Sequence, residues 1–493
     1  MSQTQALDPR RWRALSVIAI VQFMLVLDVT VVNVALPHIE TDLHFSRAGL
    51  AWVVDGYVLT AGGLLLLGGR LSDLLGRRRL FILGLLVFAA ASAMSGASVD
   101  AGMLVASRFL QGVGEALASP AAFGLVALLF TDPKERAQAI GIFGGVAGLG
   151  GTLGPVISGL LITVADWRWI FYVNVPVGIF AAFATTRLVQ ESKAERAHDA
   201  PRPDVEGAVI GTLGLVGIVY GFIAAGNHPW GSAPVVASMV AGVVFLTAFV
   251  LRERRAPDPL VPVGFMRNGT RVSANIANLF FASVFFTMFY LLTLYLQQDE
   301  GYSTLQTGVS YLPFGVVIGI GIALSSAFIT RIGPKPILAT GALCISGGLL
   351  LLSRITVHGS YVGQILPAMI VLAFGSGLSF AAFGNASVHE VTEQDASLAS
   401  GIGQTSQQIG GAVGLSVLAT LALRHMRSSA AHGTNLALAS TQGAVIAFRV
   451  SAAVALVGAI FVIFAPIASP RSAAEVTDPA AGPEEPTIEP ATV

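Results

Sequence analysis

Gly69-Arg70-Leu71-Ser72-Asp73-Leu74-Leu75-Gly76-Arg77-Arg78-Arg79 places five charges within eleven residues, between two long apolar runs. Leu64 to Leu67 lead in and Leu80 to Ala91 lead out. Between such neighbours, this many charges fit only a turn at a membrane surface, where the side chains reach water. Four of the five are positive, which by the positive-inside bias puts the turn in the cytoplasm. Gly69 and Gly76 suit a tight turn, Asp73 is spaced to pair with Arg77 across one helical turn, and the arginines can meet lipid phosphates. A plain topogenic stop would also be basic, but it has no need of the ordered Gly, Asp, Gly, Arg spacing.

Working outward, the composition fixes the class. With 54% hydrophobic and 11% charged residues over 493 positions, no soluble fold could hide the apolar surface, so the chain is an all-α polytopic membrane protein. A net charge of zero gives no basic face for nucleic acid. There is no phosphate-binding Gly-x-x-x-x-Gly-Lys-Ser/Thr loop, which argues against ATP hydrolysis in this chain. Cys344 is the one cysteine, so neither an intrachain disulfide nor a Cys-based metal cluster is expected. Met1 to Arg13 is polar and basic, and the apolar segment after it is too long for a cleavable signal. No cofactor and no enzymatic activity are expected.

Apolar runs near the roughly 20 residues needed to cross a bilayer fall at about 14–37, 49–69, 80–98, 101–124, 138–162, 169–190, 207–226, 234–252, 273–296, 307–329, 337–354, 363–384, 399–422 and 444–467. That is fourteen spans, with both termini on one side. Of the 28 lysines and arginines, 21 fall on the side of the amino terminus, five on the other, and Arg108 and Arg449 lie inside spans. The bias predicts cytoplasmic termini in a multi-pass protein of the cell (inner) membrane. Charged segments bracket the seventh and eighth spans, which read as an insert. The predicted organisation is a six-helix bundle over 1–190, a linker with the two inserted helices over 191–271, a second six-helix bundle over 272–468, and a disordered cytoplasmic tail over 469–493. In the second half Ser326, Thr330, Gly333 and Lys335 stand where Gly69, Asp73, Gly76 and Arg78 stand in the first. Two related bundles with a solute site between them is the plan of a secondary transporter.

Polar residues within spans are costly and therefore informative. Asp28 lies midway along the first span. In the fourth, Arg108, Gln111 and Glu115 share one face at about 100° per residue. Arg108 and Glu115 could be a structural ion pair; alternatively Arg108 holds a nearby carboxylate that a proton discharges. Two acids and one base leave one negative charge over, which a proton or a cationic solute would remove. Asp55, in the second span, is either interfacial or part of the solute cavity. In the fifth span Gly150, Gly154, Pro155 and Gly159 permit close helix approach and a kink; a membrane helix rules out a dinucleotide loop. In the ninth, Asn278, Phe281, Phe285 and Met288 recur at helical spacing, either as packing or as a cavity wall for amphipathic or cationic solutes.

Together these residues carry a resemblance. The chain resembles the fourteen-helix drug/proton antiporters of the major facilitator superfamily in Leu27 to Pro37, Gly69 to Arg79, Arg108 to Gly114, Gly150 to Gly159 and Trp167 to Pro176 (WRWIFYVNVP). What the resemblance implies is a monomeric exporter of multiple drugs or antibiotics, working by alternating access and driven by the proton gradient. It further implies proton coupling at Asp28 and Arg108, a conformational lock at Gly69, Asp73, Gly76 and Arg77, and a leak-limiting helix interface at Gly154-Pro155. Glu115 departs from the family's small residue and suggests a second proton carrier or a cation-attracting acid. Other readings are a dedicated metabolite exporter or proton-linked importer of the same fold, and a non-transporting membrane sensor or enzyme.

Overall fold

The computed structural model describes residues 10–130, 132–191, 204–256, 259–261, 264–387, 389 and 396–467. The tail expected over 469–493 and linker residues 192–203 lie outside them. All regular structure among the described residues is helical. The first half comprises α1 (Arg11–Asp42), α2 (Trp52–Leu75), α3 (Arg77–Gly96), α4 (Ala101–Leu129), α5 (Pro133–Val164), α6 (Trp169–Tyr172) and α7 (Asn174–Leu188). Then come α8 (Val205–Ala225) and α9 (Ala233–Glu253). The second half comprises α10 (Gly269–Leu294), α11 (Thr304–Ser310), α12 (Leu312–Ile332), α13 (Pro334–Leu352), α14 (Leu366–Ser387), α15 (Ala396–Ala431) and α16 (Leu436–Phe464).

Fourteen stretches among them are long and apolar enough to cross a membrane. Several outrun the apolar runs in the sequence: α1 continues through Pro37 to Asp42, and α15 extends to Ala431. Hydropathy marks only the oily middle of a helix, whereas the helical backbone satisfies itself and runs on into polar sequence. Where helices start, short polar side chains take the free N–H groups: Asp100 accepts from Met103 N, Asp204 from Gly207 N and Asn268 from Arg271 N.

The turn at Gly69 to Arg79 is a helix break. Gly76 has φ +106°, ends α2 and starts α3, and its N–H still donates to Ser72 O at 3.2 Å. Gly333, its counterpart, has φ +80° between α12 and α13 and donates to Ile329 O at 2.9 Å. Only glycine takes such a backbone without strain, so the two halves share one device at equivalent positions. The break corrects one expectation: Asp73 and Arg77 belong to different helices, so no single helical turn relates them. The Asp73 side chain lies outside the described residues. Arg77 Nη1 donates to Gly124 O of α4 at 3.2 Å, Arg78 reaches Thr186 O of α7 at 3.0 Å, and Arg79 faces Glu191 at 3.4 Å.

The halves close against each other at the end of the bundle that carries Arg47 and Asp299. A π-turn, Tyr295–Asp299, follows α10 there. From it, Gln297 Nε2 donates to Val34 O at 2.8 Å and Gln298 Nε2 to Glu40 Oε2 at 2.7 Å, both on α1. Alongside, α5 packs on α11, with Gly159 against Thr304 and Gly308 against Pro155. Further toward the Gly76 end, past Thr152 against Gly315, Gly145, Gly144, Gly141 and Gly319 border open space, where an added Cβ would meet nothing within 4 Å. On the opposite side, α2 stays packed on α15, Gly62 against Gln408 and Leu66 against Gly401. There α8 fills in, resting on both α2 and α15, while α9 packs on α8 and leaves Val236, Val240, Val243 and Val244 exposed, as a lipid-facing helix would.

Candidate functional site

Inside the first half, five helices bring polar groups to one point. Arg108 of α4 and Asp28 of α1 are 1% and 0% exposed, and Arg108 Nη1 meets Asp28 Oδ2 at 2.6 Å. Such a charge-assisted contact in a dry interior is strong, and breaking it strands a charge. The guanidinium also donates from Nε to Val53 O of α2 at 2.8 Å and from Nη1 to Gln111 Oε1 at 2.9 Å. Its flat face lies 4.4 Å from the centre of the Tyr57 ring, a cation–π contact.

Gln111 is fully engaged. Its Oε1 accepts from Arg108 and from Ser95 Oγ at 3.0 Å, while its Nε2 donates to Ser92 Oγ at 2.8 Å and Asp28 Oδ1 at 3.2 Å. The remaining partner of Asp28 is Asn174, the first residue of α7, whose Nδ2 donates to Asp28 Oδ1 at 2.7 Å. Asn174 was missed as a site residue in the sequence. The signal available was an amide inside an apolar run, in Tyr172-Val173-Asn174-Val175-Pro176, where a polar group needs a partner. Ser92 and Ser95, three apart on α3, were missed likewise.

Glu115 shares the Arg108 face of α4 as the 100° rule predicts, yet it is not part of this cluster. Among the described residues it has no ion pair within 4 Å, and its Oε2 has no hydrogen-bond partner. Tyr57 stands between: its ring covers Arg108, and its hydroxyl faces Glu115 without a hydrogen bond of good geometry. The single Asp28–Arg108–Glu115 unit expected from the sequence is therefore a tight pair plus a separate acid. Asp55, in the first turn of α2, is 0% exposed, and among the described residues both its carboxylate oxygens lack partners.

In α5, Gly150 lies against Phe23 and Val26 of α1 and Gly154 admits Thr30, whose Oγ1 donates to Gly150 O at 3.4 Å, and Ser158 Oγ donates to Val31 O at 2.7 Å. Gly159 and Pro155 instead meet α11 in the other half. One small-residue helix thus touches both the Asp28 helix and the opposite bundle. In α10, Phe281 and Met288 are buried and Phe285 is half-buried; Phe281 stands edge-on to Phe380 at 4.9 Å, and Phe285 packs on Phe289 at 5.1 Å, so this stripe is bundle core. Asn278 does border a cavity of about 200 Å³, with Asn275, Phe380, Phe383, Gln404 and Gln407.

Comparison with known proteins agrees with this architecture. Residues 18–415 match the family model described as Major Facilitator Superfamily. The puromycin resistance protein pur8 of Streptomyces alboniger is 39% identical over 456 residues, covering 92% of this chain and 90% of that protein. The lincomycin resistance protein of Streptomyces lincolnensis is 35% identical over 412 residues, covering 83% and 84%. The tetracenomycin C resistance and export protein of Streptomyces glaucescens is 33% identical over 415 residues, covering 84% and 76%. The fold is similar to that of a bacterial homologue of the human lysosomal transporter Spinster, solved inward-facing and unoccupied, with a TM-score of 0.66 at 16% identity over 93% of this chain and 97% of that one. On the sequence match and the shared helical architecture, the chain belongs to the major facilitator superfamily.

Proposed function

We propose that the protein is an efflux transporter that exports small organic compounds, antibiotics among them, in exchange for protons. The observation that carries this is the buried Asp28–Arg108 pair, an acid and a base enclosed within the helix bundle with hydrogen bonds around the acid. Ionisable groups inside a membrane-spanning bundle are costly and commonly mark functional sites, and a proton on Asp28 would weaken its hold on Arg108. Resistance and export in the names of the relatives support the substrate class. The charge bias supports cytoplasmic termini in the cell membrane, which would put the Gly76 end on the cytoplasmic side.

Glu115 and Asp55 extend the scheme. A carboxyl group buried without a partner is cheapest as the neutral acid or beside a cation. Competition between a proton and a cationic solute for Glu115 is antiport: one arrives from outside, the other from the cytoplasm. The narrower reading, a dedicated exporter of one metabolite, is favoured by relatives each named for a single antibiotic. Purified protein in liposomes with an imposed pH gradient, offered puromycin, lincomycin, and cationic, neutral and anionic dyes, tests both. Gradient-driven movement of several compounds, lost in Asp28→Asn, is expected. Movement of one compound alone supports the dedicated exporter, and movement that ignores the gradient overturns the antiport.

A further inference from the structure

We propose that Asn174 is a positioning residue that lets Asp28 exist in both charge states inside the bundle: it donates to the carboxylate from Nδ2 and, after its amide turns over, accepts from the protonated acid at Oδ1. The inference rests on the reading of Asp28 as the proton carrier and names the group that makes a buried carrier workable.

In this structure Asp28 has three partners, Arg108 Nη1 at 2.6 Å, Asn174 Nδ2 at 2.7 Å and Gln111 Nε2 at 3.2 Å. All three donate, which are the surroundings of a carboxylate. Once protonated, the group becomes a donor itself and needs an acceptor, since a buried hydroxyl without one is destabilised. The charged or titratable groups facing Asp28 are Arg108 and Glu115 of α4 and Tyr57 of α2, while α7 presents the uncharged Asn174.

Two amides are near enough to accept. Gln111 is not free to do so: turning it would break its bonds with Arg108, Ser95 and Ser92. Asn174 differs. Its Oδ1 is buried with no partner among the described residues, so turning the amide breaks only the bond to Asp28 that protonation makes obsolete. The two ends of an asparagine amide are nearly the same size, and its terminal torsion is broad and roughly two-fold, so the turn leaves the packing unchanged. The step balances simply. A proton from water adds to Asp28 Oδ1, the Asn174 N–H bond is given up, and the new O–H donates to Asn174 Oδ1; Arg108 keeps Gln111 and Val53 O as acceptors.

The test is the infrared difference spectrum between acid and neutral pH of the purified full-length protein in lipid vesicles. Acidification is expected to produce a protonated-carboxyl band, absent in Asp28→Asn, together with a shift of one side-chain amide carbonyl band to lower frequency. That amide shift is expected to vanish in Asn174→Leu, where the Asp28 band moves to higher frequency because its O–H has lost its acceptor. Asn174→Thr, whose hydroxyl both donates and accepts, is expected to lose the amide shift while keeping the Asp28 band near its parental frequency, and it serves if the leucine variant does not fold. An Asp28 band with no accompanying amide shift, or one unaltered by Asn174→Leu, overturns the proposal and leaves Asp28 as a carrier. The absence of any Asp28 band overturns the carrier reading as well.

Discussion

Arg108 is a buried cation whose charge is met by one carboxylate, so the cost of removing both it and Asp28 differs from the sum of the two single removals. Arg108→Met leaves Asp28 buried without its counter-charge and is expected to destabilise the protein by about 3–5 kcal/mol. Asp28→Leu combined with Arg108→Met leaves neither charge and is expected to cost several kcal/mol less than the two single changes added together, as read from thermal unfolding in detergent. Additive losses would mean that the pair is not coupled. Glu115→Gln removes an acid that neutralises nothing among its described neighbours, so stability should change little. Its effect belongs to cargo: export of cations is expected to fall about ten-fold and export of neutral compounds to persist, in vesicles carrying each in turn; equal loss for both classes contradicts the cation role. Asp28, Arg108 and Gln111 were legible as ionisable or polar residues in oily runs. Their partners were not, because Asn174 lies 146 positions from Asp28, and which spans touch is written in the packing rather than in either run. The same limit misplaced Glu115: helical periodicity gives a shared face, but not the Tyr57 ring that divides it.

At the scale of the helix, the paired breaks at Gly76 and Gly333 were readable from spacing alone, because a positive φ demands glycine and the echo preserves it. Gly76→Ala is expected to cost about 1–3 kcal/mol from the strained backbone, with further crowding because the new Cβ would run into the Glu191 carboxylate. An unchanged melting temperature would show that the turn relaxes freely. Along α5 the small residues have separate duties, Gly150 and Gly154 toward α1 and Gly159 toward α11. In Gly159→Leu the Cβ would stand 2.6 Å from Thr304 O, a backbone atom that yields only if the helices part. Cross-linking by a short bifunctional maleimide between cysteines placed at Glu40 and Gln298, whose side-chain tips meet in this structure, is expected to proceed readily in the parent background and several-fold less in Gly159→Leu. Equal yields would show that α5 and α11 do not govern closure at that end.

For the whole molecule, orientation is the first thing to fix. With Cys344 replaced by serine, a cysteine at the exposed Leu75 is expected to resist an impermeant maleimide in intact cells and to react in inverted membranes. Labelling from outside would reverse the topology. The span count came straight from hydropathy, whereas the seat of the inserted pair was not deducible from it. Helix α8 is tied to α15: Arg424 donates to Ala225 O at 2.7 Å, Arg427 to Gly226 O and to Asn227 Oδ1 at 2.7 Å, and Thr420 to Phe222 O at 2.8 Å. Against α2 it packs through side chains, with Thr212 pressed on Gly63 and Tyr220 beside Trp52. The molecule is thus built like a bound book. The inserted pair is the spine, stitched to the second cover and merely laid against the first, and α5 and α12 are the fore-edge. A book opens by angle, so a small turn at the spine becomes a wide displacement at the fore-edge.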